Sequence, residues 1–182
     1  WKGKMLEACK SGETKVVQLL LERYNSEESG LNIKDEYGNN AFIMACRSGH
    51  KDLVKLLLNR FERIDLNARS SHGWTAFIMA CYNRQKDVVQ LLLDHSEIIE
   101  LNARENAGNT ALMLACFDGH KDVVKLLLEH SERIDLNVRN TFGTFACIHK
   151  CSPSKTISCI QLNSIVMIQE QFDNIFFSIH AT

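Results

Sequence analysis

Along most of the chain, apolar and polar positions recur in one pattern. A short run mixing small and large apolar residues, such as Ala111-Leu-Met-Leu-Ala-Cys116, is followed by a polar break containing Gly119. A second run then crowds Val123, Val124, Leu126, Leu127 and Leu128 onto a wide surface. Apolar residues at this spacing predict two short helices. Thr110 stands where an N-cap hydroxyl can accept from an early backbone N–H of the first helix. Gly119 can take the left-handed conformation that turns the chain, so that helix resumes over Lys121 to Glu129. That second helix is too apolar for a lone surface helix and needs cover on more than one side. A connector, His130 to Asp135, leads into an extended segment, Leu136-Asn-Val-Arg139, and the next glycine turn.

The pattern is a repeat. Residues Leu66 to Glu100 and Leu101 to Asp135 are identical at 20 of 35 positions. Three full units succeed one another, 31–65, 66–100 and 101–135, and because such units bury their faces only against neighbours, a stacked array is predicted. Residues 1–30 carry both helices without a hairpin before them. Lys4 and Glu7 take the places of Ala41 and Met44, the charged outer face expected of a terminal cap, and 24–30 reads as a polar surface loop. In the middle unit Arg84-Gln85 replaces Gly49-His50 and Gly119-His120. A left-handed arginine costs about 1 kcal/mol relative to glycine, either as tolerated strain or in exchange for a contact.

From Leu136 a further unit begins in register with Leu136-Asn-Val-Arg139 and Gly143, then degenerates. Lys150 takes the position of Ala115, Pro153 falls beside the expected turn, and Gln161 and Asn163 replace leucines. Residues 1–151 read as one repeat domain. Residues 152–182 read as a divergent helical cap or as a poorly ordered tail.

These residues resemble the ankyrin repeat: a turn, a T-P-L-H-x-A helix, a Gly-His turn and a helix with V-V-x-L-L-L. Gly108, Thr110, Leu112, Ala115, Gly119, His120, Val123, Val124 and Leu126 to Leu128 carry the likeness. It covers residues 3 to 151 and implies an all-α solenoid of helix-turn-helix units joined by β-hairpin-like loops. The family's proline is Ala41, Ala76 and Ala111, and its histidine is Ile43, Ile78 and Met113. Apolar packing is therefore expected where the family has a histidine hydrogen-bond network. The 35-residue period exceeds the family's usual length of about 33, and the extra pair is placed in the connector.

Composition narrows the function. A net charge of −1 from 21 basic and 22 acidic residues, interspersed, gives no field for nucleic acid or an anionic membrane. No apolar run is long enough to span a bilayer and no leader precedes Trp1, which points to a cytoplasmic or nuclear protein. Cys9, Cys46, Cys81, Cys116 and Cys151 recur at one position of the unit. Units about 10 Å apart lie beyond the reach of a disulfide, so these read as small core residues in a reducing compartment. The histidines repeat because the unit repeats: His50 and His120 at turns, His95 and His130 at helix ends, His72 on a hairpin. No motif for a metal, a cofactor, a phosphate or a serine nucleophile is present. Neither catalysis nor a small-molecule substrate is expected.

The resemblance implies instead a protein partner held by a monomer on a concave face built from hairpin tips and first helices. In the family the contacts flank the turn glycine and end the first helix. Those positions are Glu36, Tyr37, Asn39, Arg47 and Ser48; Ser71, His72, Trp74, Tyr82 and Asn83; and Asn106, Ala107, Asn109, Phe117 and Asp118. The aromatics Tyr37, Trp74, Tyr82 and Phe117 are the residue types that anchor interfaces, with Arg47 and Asp118 as a polar rim. Alternatively, Trp74 and Tyr82 only pack on neighbouring hairpins. Asn32, Asn67, Asn102 and Asn137 are expected to tie down their own turns. The resemblance also brings in an asparagine hydroxylase, whose target pattern Asp65-Leu-Asn67 and Asp135-Leu-Asn137 resemble. An alternative function is that of a fragment of a larger enzyme, channel or ubiquitin-ligase component whose effector part lies outside these residues.

Overall fold

A computed structural model describes residues 1–24, 32–60 and 62–146. The chain divides into two units, Trp1–Ser152 and Pro153–Thr182, and every described helix belongs to the first. Residues 25–30 of the predicted 24–30 loop, the degenerate stretch around Lys150 and the 152–182 tail lie outside the described residues.

Among those residues there are eight helices: α1 (Lys2–Ser11), α2 (Thr14–Arg23), α3 (Ala41–Ser48), α4 (Lys51–Leu58), α5 (Ala76–Tyr82), α6 (Lys86–Leu93), α7 (Ala111–Phe117) and α8 (Lys121–Glu129). Helices of seven to ten residues are marginal alone in water, so packing has to hold them. They pack in two rows. One runs α1, α3, α5, α7, the other α2, α4, α6, α8, and each pair is bound across its own turn. This is the all-α solenoid that the periodicity predicts.

The rows enclose one apolar core. Ala41 to Cys46 are buried along α3, and α5 and α7 repeat this with Phe77, Ile78, Leu112 and Met113. Ile43, Ile78 and Met113, which stand where the family has histidine, are all buried. A polar network is thus replaced by apolar contact, which removes the need to satisfy a buried imidazole. The second row supplies Leu53, Val54, Leu57, Val88, Val89, Leu92, Val123, Val124 and Leu127. Each such side chain gains about 1.5–3 kcal/mol on leaving water. On α1, Lys4 and Glu7 are both exposed, as an outer face requires.

Local chemistry sets the helix ends. Asn40 Oδ1 accepts from Ile43 N at 2.9 Å, Thr75 Oγ1 from Ile78 N at 3.3 Å, and Thr110 Oγ1 from Met113 N at 3.4 Å. Gly49 and Gly119 turn the chain at φ 78° and 72°. Arg84 keeps the same left-handed form at φ 57° and is the one non-glycine residue with positive φ among those described.

The hairpins join the units without forming strands among the described residues. Each is a turn closed by a pair of bonds, such as Gly73 N to Ser70 O at 2.9 Å and Ser70 N to Trp74 O at 3.0 Å. Successive tips are tied by Ser71 N to Tyr37 O, Asn106 N to His72 O and Thr141 N to Ala107 O, at 2.9, 3.1 and 3.0 Å. The recurring turn sites thereby lie in a line.

Candidate functional site: the hairpin and first-helix face

Two lines of residues form this face: the hairpin tips and the ends of the first helices. At the tips, Tyr37 is 56% exposed, His72 is exposed and Ala107 is half-buried. At the helix ends come Arg47, exposed, then Tyr82 at 39% and Phe117 at 72%. Asp118 is exposed beyond Phe117.

The two lines meet in the middle unit. Trp74 and Tyr82 touch edge to face, with ring centroids 4.7 Å apart and planes at 86°. That geometry sets the positive edge of one ring on the negative face of the other. Trp74 is half-buried against the core while Tyr82 stays open. The pair is therefore split between core and surface: Trp74 is a floor and Tyr82 rises from it.

Three predicted site residues are building material instead. Asn39 is 2% exposed, its backbone N–H and its Nδ2 donating to the Asp35 carboxylate at 2.7 and 2.9 Å. Asn109 does the same to Glu105 Oε1, at 3.0 Å from its backbone N–H and 2.7 Å from Nδ2, and its own Oδ1 accepts from Asn140 Nδ2 at 2.8 Å. Asn83 Nδ2 donates to Met79 O at 2.9 Å and caps its own helix. The position after the turn glycine is where the chain re-enters the core, so a side chain there is drawn into the turn; Trp74, too large for it, spreads outward.

The hairpin asparagines also differ from the expected role. Rather than their own turns, they hold the connector that closes their unit and leads into the next. Asn67 Nδ2 donates to Ile98 O and its Oδ1 accepts from Glu100 N, both at 2.9 Å. Asn32 and Asn102 make the same pair of bonds to Arg63 O and Asp65 N, and to Arg133 O and Asp135 N.

Bonds that cross between units come from the histidines and the residue in their place. His50 Nε2 lies 2.9 Å from Lys10 O, His120 Nε2 lies 2.8 Å from Tyr82 O, and Gln85 Nε2 donates to Arg47 O at 3.2 Å. Glutamine thus replaces histidine with the inter-unit bond intact. Arg84 beside it pairs with Asp122 of the following unit, Nε donating to both carboxylate oxygens at 3.0 and 3.1 Å.

Three of the repeated cysteines are poorly set up for nucleophilic chemistry. Burial pushes the Cys9 thiol up to about 12 and raises Cys46 and Cys81 as well, so these sulfurs lack the thiolate character of a nucleophile. Cys151 lies outside the described residues. Among the described residues no group of three or more His, Cys, Asp or Glu could hold a metal ion, and no helix is long and apolar enough to cross a membrane.

One surface residue escapes a comparison of the full units. Phe142, 79% exposed, occupies the tip position of Tyr37, His72 and Ala107 in the incomplete unit. The register of the repeat, carried one step past residue 135, points to it.

No curated protein matches the chain. A family model for ankyrin repeats (3 copies) matches residues 5–70 and 62–140. With stacked helix pairs, left-handed turns and linked hairpins all in place across that span, the chain belongs to the ankyrin-repeat family.

Proposed function

We propose that this chain is a binding scaffold which holds a protein partner on the hairpin and first-helix face of its middle and last full units. Ankyrin repeats are in general protein-interaction modules and typically non-catalytic. One observation favours this face over the others. The exposed large hydrophobic residues among those described are Leu19, Tyr37, Tyr82, Phe117 and Phe142, and all but Leu19 lie at the tips or first-helix ends. Random exposure would scatter them; aromatics gathered on one side of an otherwise polar surface mark a contact area.

Tyr82 and Phe117 are the anchors, Trp74 supports Tyr82 from beneath, and Tyr37 extends the patch. Arg47, His72 and Asp118 make the polar rim. The buried thiols of Cys9, Cys46 and Cys81 favour a reducing compartment, cytoplasmic or nuclear.

The test is affinity capture from cells with the parent chain and with Tyr82→Ser/Phe117→Ser, each eluate read by mass spectrometry. Proteins retained by the parent and lost from the variant are expected, with the melting temperature little changed because both side chains are exposed. Identical eluates from two equally folded baits would reject this face.

A further inference from the structure

One register position of the hairpins carries a cation in every unit: Lys34, Arg69, Arg104 and Arg139. All are exposed. Each of the first three reaches along the stack to the backbone of its successor. Lys34 Nζ donates to Arg69 O at 3.1 Å, Arg69 Nη2 donates to Arg104 O, and Arg104 Nη2 donates to Arg139 O at 2.5 Å. The Arg139 guanidinium lies over the Phe145 ring, 4.2 Å from its centroid. These contacts fix the direction of the side chains while leaving their charge at the surface.

The acids that could neutralise the row are turned away from it. Asp35 accepts from the backbone N–H groups of Tyr37 and Asn39, and Glu105 from those of Ala107 and Asn109. In the other two hairpins the neutral residues Ser70 and Asn140 do the same work, accepting from Trp74 N and from Phe142 N and Thr144 N. The other carboxylate of the tips is Glu36, at the N-terminal end. A chain of net charge −1 therefore presents a file of like charges one unit apart. Packed helices are spaced about 8–10 Å, close to the screening length of about 8 Å in physiological salt. Neighbouring cations thus repel, and a ligand of opposite charge relieves that repulsion.

We propose that this row recognises an acidic peptide segment of the partner, lying along the stack with its carboxylates on Arg69, Arg104 and their neighbours and its apolar side chains on the exposed aromatics. The guanidinium fork matches a carboxylate with two parallel bonds, and the inter-unit contacts already hold it in place. The proposal rests on the docking face above and adds the chemistry of its ligand.

The probe is a fluorescein-labelled synthetic peptide of repeated Glu-Glu-Tyr-Gly, titrated with the full chain by fluorescence anisotropy. A Gln-for-Glu counterpart and a labelled oligouridylate of equal length serve as comparisons. Binding of the acidic peptide is expected to exceed that of the Gln peptide and to weaken as salt rises from about 0.01 M to about 0.15 M. Arg69→Gln/Arg104→Gln should weaken it about tenfold, and Arg69→Lys/Arg104→Lys, which keeps the charge but loses the two-bond fork, should restore only part of the affinity. Should the Gln variant fail to fold, Lys34→Gln, at the end of the row, gives a smaller loss on the same scale. Equal binding of both peptides, abolished by Tyr82→Ser/Phe117→Ser but indifferent to the arginines, would leave the docking face standing and remove acid recognition. Tighter binding of the oligouridylate would assign the row to nucleic acid instead, and no binding of either peptide at low salt would overturn the proposal outright.

Discussion

Arg84 shows how a single residue can be both strained and useful. Its left-handed backbone costs about 1 kcal/mol relative to glycine, while an ion pair with a 62% exposed arginine returns between nothing and about 1 kcal/mol. Arg84→Gly should therefore melt at or slightly above the parent, and Asp122→Asn, which keeps the strain and loses the pair, below it. The pair also has a pH signature. Partial burial pulls the Asp122 pKa upward, but hydrogen bonds from Arg84 and from the backbone outweigh it and hold it below its ordinary value. Such a lowered carboxylate contributes stability that is present above the unfolded-state pKa of about 4 and fades as pH falls through the folded value. Melting curves below pH about 4 should fall less steeply for Arg84→Gly than for the parent. Cysteine supplies a second residue-scale check. With Cys9, Cys46 and Cys81 buried and their thiols pushed upward, a thiol reagent should leave them unmodified in the native protein at neutral pH and react once denaturant unfolds the chain.

At the scale of elements, the joints between units repeat more faithfully than the helices they join. A carboxamide reaches the next connector from Asn32, Asn67 and Asn102, and His50, Gln85 or His120 reaches back to the preceding first helix. Asn67→Ala removes two such bonds at once, leaving Ile98 O and Glu100 N to water, and should lower stability by about 1–3 kcal/mol in denaturant titration. These joints were half legible in the sequence. That asparagine recurs was plain, yet its partner lies 31 and 33 residues away, and no local pattern reports a contact at that separation. Gln85 looked like a lost turn signature for the same reason: what matters is a donor within reach of Arg47 O, and a glutamine amide meets that need as well as an imidazole. The helices of the third unit were readable closely, Lys121 to Glu129 to the residue and the first one to within a residue of its end at Phe117, because capping groups and apolar spacing act within a few positions.

For the whole molecule, stability is distributed along the stack, each inner unit leaning on two neighbours. Leu92 is fully buried at the middle of the second row. Leu92→Ala should cost about 2–5 kcal/mol, and hydrogen exchange should show protection lost in α4 and α8 as well as α6, since α6 packs on both. A loss confined to α6 would mean that the units fold independently.

The 35-residue period and the apolar faces of both helices determined by themselves that this chain stacks in helix pairs, because units with so much exposed oil have no other way to bury it. Caps and left-handed turns were determined with it, since they depend on neighbours in sequence. Only the tertiary structure decided which side chains are mortar and which are surface: Asn39 and Asn109 sink into their turns, Trp74 lies beneath Tyr82, and the cations of the hairpins reach along the stack to the next backbone. Those outcomes depend on the offset between one unit and the next, a quantity set by packing across the stack and written in no single repeat.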